Sequence, residues 1–302
     1  MSTPATLLNT PLSLAELQSS WDRAADDIEV DPMRPVRYGK CLGLLRQLDR
    51  SCSLLEVGCG EGSGLRYAAT LGFANLTGCE ISAERLRRAA TRTPPGTRLS
   101  LVSGSGELPF ADSEFDAVYS TAVIEHTLAP EAFLREIRRV VKPGGRVVIS
   151  SDCWQWRLLQ ALGFYQSVQP IDRAVTTGLM LERMKRCGFD VLGYDGFPLP
   201  GSEYRFLRML GSGIRQSYPG RALLHRVLRR TFGRSGSAQH SPPAVQPSAG
   251  DGMVGFLSVA NASQLDAPNW SSWVRSMFSD ENVFLLAPSV AAVSPPRITA
   301  GR

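Results

Sequence analysis

The stretch Leu54-Leu55-Glu56-Val57-Gly58-Cys59-Gly60-Glu61-Gly62-Ser63-Gly64-Leu65 decides how this chain is read. Leu54, Leu55 and Val57 form a short apolar run of the kind that makes a buried strand. Gly58, Gly60, Gly62 and Gly64 then alternate with Cys59, Glu61 and Ser63 before an apolar-periodic segment, Leu65–Leu71. Glycine tolerates positive φ and lets a ligand lie against bare backbone. A strand that feeds such a loop and then a helix is a common cradle for nucleotide-like ligands. A tight strand-to-helix turn needs glycine too, so the loop alone does not decide between a cradle and a turn.

Two acids tip the balance. Glu56 precedes the first glycine by two residues and can receive a ligand ammonium or nearby backbone N–H groups. Glu80 closes a second apolar run, Leu76–Cys79, twenty residues after Gly60. At that spacing an acid on the adjacent strand reaches both hydroxyls of a ribose. The dinucleotide pattern G-x-G-x-x-G needs glycine at position 63, where serine stands.

Working outward, strands are expected at Leu54–Val57, Leu76–Glu80, Arg98–Ser103, Phe115–Ser120 and Arg146–Ser150. Helices are expected at Ser63–Leu71, Ala83–Thr91 and Pro130–Val141, with Ser82 as an N-cap. This alternation implies a parallel sheet covered on both faces, with ligands beyond the carboxyl ends of its strands. Upstream, Leu12–Ala25 reads as a helix begun by Ser13 with Glu16 three residues on, and Pro35–Leu48 as a second. Downstream, Thr177–Cys187 reads as a helix, Phe189–Tyr194 as a sixth strand and Met253–Ala260 as a seventh.

E-x-G-x-G-x-G with the later Glu80, then F-D-x-V-x-S at Phe115–Ser120, V-I-E-H at Val123–His126 and KPGGRVVIS at Lys142–Ser150, resembles the class I S-adenosylmethionine-dependent methyltransferases, in their type 11-like small-molecule branch. The match runs from about Ser51 to Ser151 with its motifs in order. The resemblance implies an α/β fold: a doubly wound, Rossmann-like seven-stranded sheet in the order 3-2-1-4-5-7-6, its last strand antiparallel. It implies S-adenosyl-L-methionine as cofactor, with contacts from Glu56, Gly58, Cys59, Gly60, Gly62, Glu80, Ile81, Ser105, Gly106 and Ser120. It also implies that the N-terminal helices fold over the cofactor. Trp21, Arg37 and Tyr38 then become lid residues, and Trp21, Tyr38, Trp154 and Trp156 candidates for the acceptor pocket. The same aromatics serve equally well as core anchors. His126 has two readings as well: a general base taking a proton from the acceptor, or a residue that shapes its loop.

The organisation expected is a helical lid at 1–50, a cofactor-binding core at 51–200, a basic insertion and linker at 201–252, the last core strand at 253–262 and a tail at 263–302 whose role is open. The insertion separates the last two strands. Tyr204–Arg234 holds eight arginines and no acid in a chain whose net charge is +5. Leu223, Leu224, Val227 and Leu228 fall on one helical arc there, opposite Arg226, Arg229 and Arg230. Such a face suits either solvent or an anionic membrane surface. The six cysteines lack C-x-x-C pairing and nearby histidines, so neither a metal site nor a disulfide framework is expected. With no signal-like N-terminus and no apolar run long enough for a bilayer, a cytoplasmic enzyme is expected, with a small-molecule or lipid-like acceptor and no nucleic-acid partner. A non-catalytic cofactor-binding module and a nucleotide-dependent oxidoreductase are the competing readings.

Overall fold

The computed structural model describes residues 13–23, 25, 34–152, 171, 173, 175–197 and 281–289. In chain order these form α1 (Leu14–Arg23), α2 (Arg34–Gly43), β1 (Ser53–Val57), α3 (Ser63–Thr70), β2 (Asn75–Glu80), α4 (Ala83–Arg92), β3 (Arg98–Leu101), β4 (Phe115–Thr121), α5 (Pro130–Val140), β5 (Val141–Asp152), α6 (Thr177–Arg186), β6 (Phe189–Phe197) and β7 (Glu281–Pro288). A short 3-10 turn, Ile124–His126, lies between β4 and α5. The strands make one sheet in the order β3-β2-β1-β4-β5-β7-β6. β1 pairs in parallel with β2 and β4, while β7 runs antiparallel to both β5 and β6.

Side-chain parity explains why β1, β4 and β5 read as continuous apolar runs. Leu55, Val118, Val147 and Ile149 enter one core with Phe133, Leu134, Ile137 and Val140 of α5 and Met180 and Met184 of α6. Leu54, Ala117, Tyr119 and Val148 enter the other, against Cys41 and Leu42 of α2 and Leu65 and Ala68 of α3. A strand buried on both faces has no polar side to show. The helix starts follow from local chemistry. Ser13 and Glu16 close a reciprocal capping box on α1, Ser82 Oγ accepts from the Arg85 N–H, and Pro130 sits at the first turn of α5.

The seventh strand is a correction. Glu281–Pro288, not Met253–Ala260, fills the place between β5 and β6. A strand in that position is covered on both faces, and Val283-Phe284-Leu285-Leu286 supplies four apolar residues in succession, Val283 to one core and Phe284 and Leu286 to the other. Met253–Ala260 carries Gly255 and Ser258 and lies outside the described residues, as do the insertion 201–252 and the linker within it. β5 also begins earlier than the turn at Lys142–Gly145 suggests. Val141 already pairs with Phe115, and the four residues bulge before Arg146 pairs with Ala117.

Candidate cofactor and acceptor site

Strand order reverses between β1 and β4, and ligands of open α/β sheets bind at such a point, beyond the carboxyl ends of the strands. The glycine loop lies there. Its turn is tied to β2 by the Gly58 and Cys59 N–H groups, which both donate to the Cys79 carbonyl at 2.8 and 3.0 Å. The glycines have different reasons. At Gly58, with φ +78°, an added Cβ would lie 2.4 Å from Val123 Cγ2, and at Gly62, with φ +80°, 2.3 Å from Thr93 Cγ2. At Gly60, with φ +53°, its nearest neighbour would be the Arg85 guanidinium, at 3.5 Å. Gly58 and Gly62 are therefore close-packing glycines, and Gly60 presents bare backbone beside the Arg85 guanidinium.

Glu80 holds the loop in shape. One carboxylate oxygen accepts from the Gly60 N–H at 2.8 Å and the other from the Ser82 N–H at 3.0 Å. The loop and the N-terminus of α4 are thus clamped to one buried acid, which the positive end of the helix dipole favours. Glu61 does similar work from the other side. It is 3 % exposed and ion-paired to Arg88 at 3.1 Å and to Arg92.

The other expected contact residues have partners within the chain. Glu56 is fully buried and accepts from the Tyr119 hydroxyl at 3.0 Å. A Cβ on Gly64 would lie 2.2 Å from Glu56 Oε1, so the carboxylate sits under the start of α3 rather than on an open ligand surface. Burial, then the neighbouring Glu56, pushes the Tyr119 phenol well above its ordinary pKa. The Cys59 thiol is turned into the core beside Gly78 and Leu65, leaving its backbone to the loop. The Ser120 hydroxyl donates to the Val57 carbonyl at 2.8 Å and ties β4 to β1. Ser105 and Gly106 belong to the loop after β3, where the Ser105 hydroxyl accepts from the Glu107 N–H at 3.3 Å. Gly104 in that loop packs on Ile81.

α1 lies over this end of the sheet. Leu17 and Trp21 form an apolar patch with Ile81, Leu128 and Ile171. Asp22 fastens α1 to the start of α4, accepting from Ser82 Oγ at 2.5 Å and from the Glu84 N–H at 3.2 Å. Tyr38 of α2 packs on the core beside Tyr119. Trp154 and Trp156 lie outside the described residues.

Beneath the patch, at the ends of β4 and β5, is a polar group that residue spacing did not show. His126 is 6 % exposed, and its Nδ1 lies 2.6 Å from the Ile171 carbonyl. A carbonyl only accepts, so Nδ1 carries the proton, and the lone pair of the neutral ring is on Nε2. The ring stands edge-on to Trp21 with centroids 5.7 Å apart. Glu125 Oε1 lies 3.8 Å from His126 Nε2 and accepts from the Asp152 N–H at 3.1 Å. Asp152 in turn pairs with Arg37 of α2 at 3.5 Å. The ligand atoms of Glu125, His126 and Asp152 fall within 4.8 Å of one another, a donor set suited to a metal ion. Arg37 supplies Asp152 with a positive counter-charge. The only hint of this group in the sequence was Glu125 beside His126 in V-I-E-H.

The backbone resembles that of a solved chain from a Haloferax volcanii complex that contains the Trm112 methyltransferase activator. The TM-score is 0.54 at 14% identity, covering 93% of this chain and 99% of that one, which is evidence of a shared fold. Residues 55–149 match the family model described as a methyltransferase domain. This core is a class I methyltransferase domain. Among curated relatives of the domain, the 2-methyl-6-phytyl-1,4-hydroquinone methyltransferase of Synechocystis sp. is 37% identical over 116 residues, 38% of this chain and 36% of that protein. The demethylmenaquinone methyltransferase of Tropheryma whipplei is 35% identical over 96 residues, 32% of this chain and 40% of that one. A sterol 24-C-methyltransferase of Gibberella zeae is 38% identical over 96 residues, 30% of this chain and 25% of that one. The alignments thus span well under half the length of these relatives. Among the described residues no helix is long and apolar enough to cross a membrane.

Proposed function

We propose that this protein binds S-adenosyl-L-methionine and transfers its methyl group to a small-molecule or lipid-like acceptor. The observation that carries the reading is the Glu80 clamp. A buried carboxylate at the end of β2 holds both the glycine loop and the start of α4, beside a glycine that presents bare backbone. Gly58–Gly62 would lie under the cofactor, Glu80 at its ribose and Ile81 near its base. When bound, the cofactor supplies a methyl carbon on a sulfonium, already activated for displacement by an oxygen, nitrogen or carbon nucleophile. The protein then has to hold the partners in line and exclude water. α1, pinned through Asp22, supplies the cover.

The acceptor side combines the apolar patch of Leu17, Trp21, Ile81, Leu128 and Ile171 with the polar floor of Glu125, His126, Asp152 and Arg37. That combination suits an apolar body with one polar reacting group. The relatives, named for hydroquinones, demethylmenaquinone and sterols, lie in the same chemical range. His126, held by Ile171 and Trp21, acts here as a positioning residue that keeps the floor in place. The arginine-rich stretch Tyr204–Arg234, outside the described residues, would bring the enzyme to an anionic membrane where such acceptors reside. Salt-sensitive pelleting with phosphatidylglycerol vesicles, absent with neutral ones, checks that part.

Transfer of label from methyl-tritiated S-adenosylmethionine into organic-soluble extract tests the whole reading. Protein-dependent label is expected, and Glu80→Ala should abolish most of it. Cofactor binding without transfer into any fraction would favour the non-catalytic module. Binding of NADH in preference to S-adenosylmethionine would favour the oxidoreductase.

A further inference from the structure

α4 carries four arginines, and three have carboxylate partners. Arg87 pairs with Glu84, Arg88 with Glu84 and Glu61, and Arg92 with Glu61. Arg85 is different. It is the most buried of the four at 9 % exposure, yet its guanidinium makes no hydrogen bond or ion pair among the described residues. Its Nε–H is sealed from solvent with no acceptor. Sealing an N–H from water without an acceptor is costly, and the neighbouring acid Glu84 spends its carboxylate on Arg87 and Arg88.

Its position gives the reason. The guanidinium carbon and one terminal nitrogen lie 3.5 Å from where a Gly60 Cβ would be, beside the glycine loop. Gly60 is the residue whose N–H holds Glu80. Glu80 and Arg85 therefore flank the same glycine, one an acceptor and the other a fork of donors with no acceptor of its own.

We infer that Arg85 is a further binding residue of the cofactor site, donating to the hydroxyl oxygens of the ribose that Glu80 accepts from. This rests on the cofactor reading above. A ribose hydroxyl both donates and accepts, so an acid and a guanidinium beside one diol satisfy both capacities. The ligand then supplies the acceptor that the folded chain withholds, and Arg85 adds recognition of the intact sugar.

Calorimetric titration of the full chain with S-adenosylhomocysteine, and with its 2′-deoxy and 3′-deoxy ribose forms, tests this. Arg85→Met keeps the length of the stem and removes the donors. Its affinity for S-adenosylhomocysteine should fall roughly tenfold or more, and its preference over the deoxy forms should shrink. The melting temperature of the ligand-free variant should equal or exceed that of wild type, because a buried N–H without an acceptor is gone. A merely packing arginine would leave the sugar preference unmoved. Arg85→Met binding within twofold of wild type, with the preference intact, overturns the inference. Arg85→Lys, which keeps the charge but loses the fork, gives the same comparison if the methionine variant folds poorly. A wild-type chain that binds no S-adenosylhomocysteine overturns the cofactor reading itself, a distinguishable failure.

Discussion

Replacing Glu80 by alanine should damage folding and cofactor binding by separate amounts that the structure lets one work out. In the ligand-free protein the substitution leaves the Gly60 and Ser82 N–H groups without the acceptors they have at 2.8 and 3.0 Å. An orphaned buried donor costs about 1–3 kcal/mol. Water entering the space left by the side chain brings each loss toward the lower bound, for a total of about 2 kcal/mol. In a domain of this size that is a fall in melting temperature of about 4–8 °C. With cofactor present, the lost charge-assisted bonds to the ribose add about 1.5–3 kcal/mol, a roughly 10- to 150-fold weaker dissociation constant. Glu80→Gln keeps one carbonyl acceptor and should fall between the two proteins. Differential scanning calorimetry and titration calorimetry on the same preparations give both quantities. Lower stability with unchanged affinity would make Glu80 a structural clamp alone. An alanine variant unchanged in both would refute the reasoning.

Three further outcomes are expected. Gly58→Ala combines a left-handed conformation, about 1–2 kcal/mol, with overpacking against Val123, about 1–3 kcal/mol. Placing it in a Val123→Ala background should recover the second part but not the first, measured by urea unfolding, and no recovery would contradict the close contact. His126→Ala should lower thermal stability and turnover together because the contacts with Ile171 and Trp21 go. A variant of normal stability and cofactor affinity with turnover down by about 10²–10⁴ would instead make it the general base. Burial raises the Cys59 thiol well above its ordinary pKa and that of Cys79 to about 12. Both should resist iodoacetamide at pH 8 in the folded protein and react once it is unfolded, as peptide mass spectrometry would show; rapid labelling of either in the native state would contradict their burial.

The parts of the fold legible in the sequence are those carried by short-range patterns. β1, the glycine loop and β2 announce themselves because the strand, the turn and the acid lie within 30 residues of one another. The place of β7 did not, because two apolar runs compete for one gap and only the sheet shows which fills it. The site was half visible. Glu80 was read as a ribose ligand, but its grip on Gly60 and Ser82 is a matter of side-chain direction. Glu56 was read as a ligand contact, and its bond to Tyr119 and its place beside Gly64 are likewise matters of side-chain direction. Asp22 on Ser82, Arg88 on Glu61 and Arg37 on Asp152 join residues 60, 27 and 115 positions apart, beyond any spacing rule. Arg85 reads as one more surface arginine of a polar helix until its burial is known.

The central claim is the identity of the cofactor, and one titration addresses it. Purified full-length chain is titrated with S-adenosyl-L-methionine in a calorimeter, with NADH in a parallel cell. Saturable binding of S-adenosyl-L-methionine at one site per chain, weakened in Glu80→Ala, with no binding of NADH, is the result expected. Saturation by NADH, or no heat from S-adenosyl-L-methionine with a folded protein in the cell, would contradict the account.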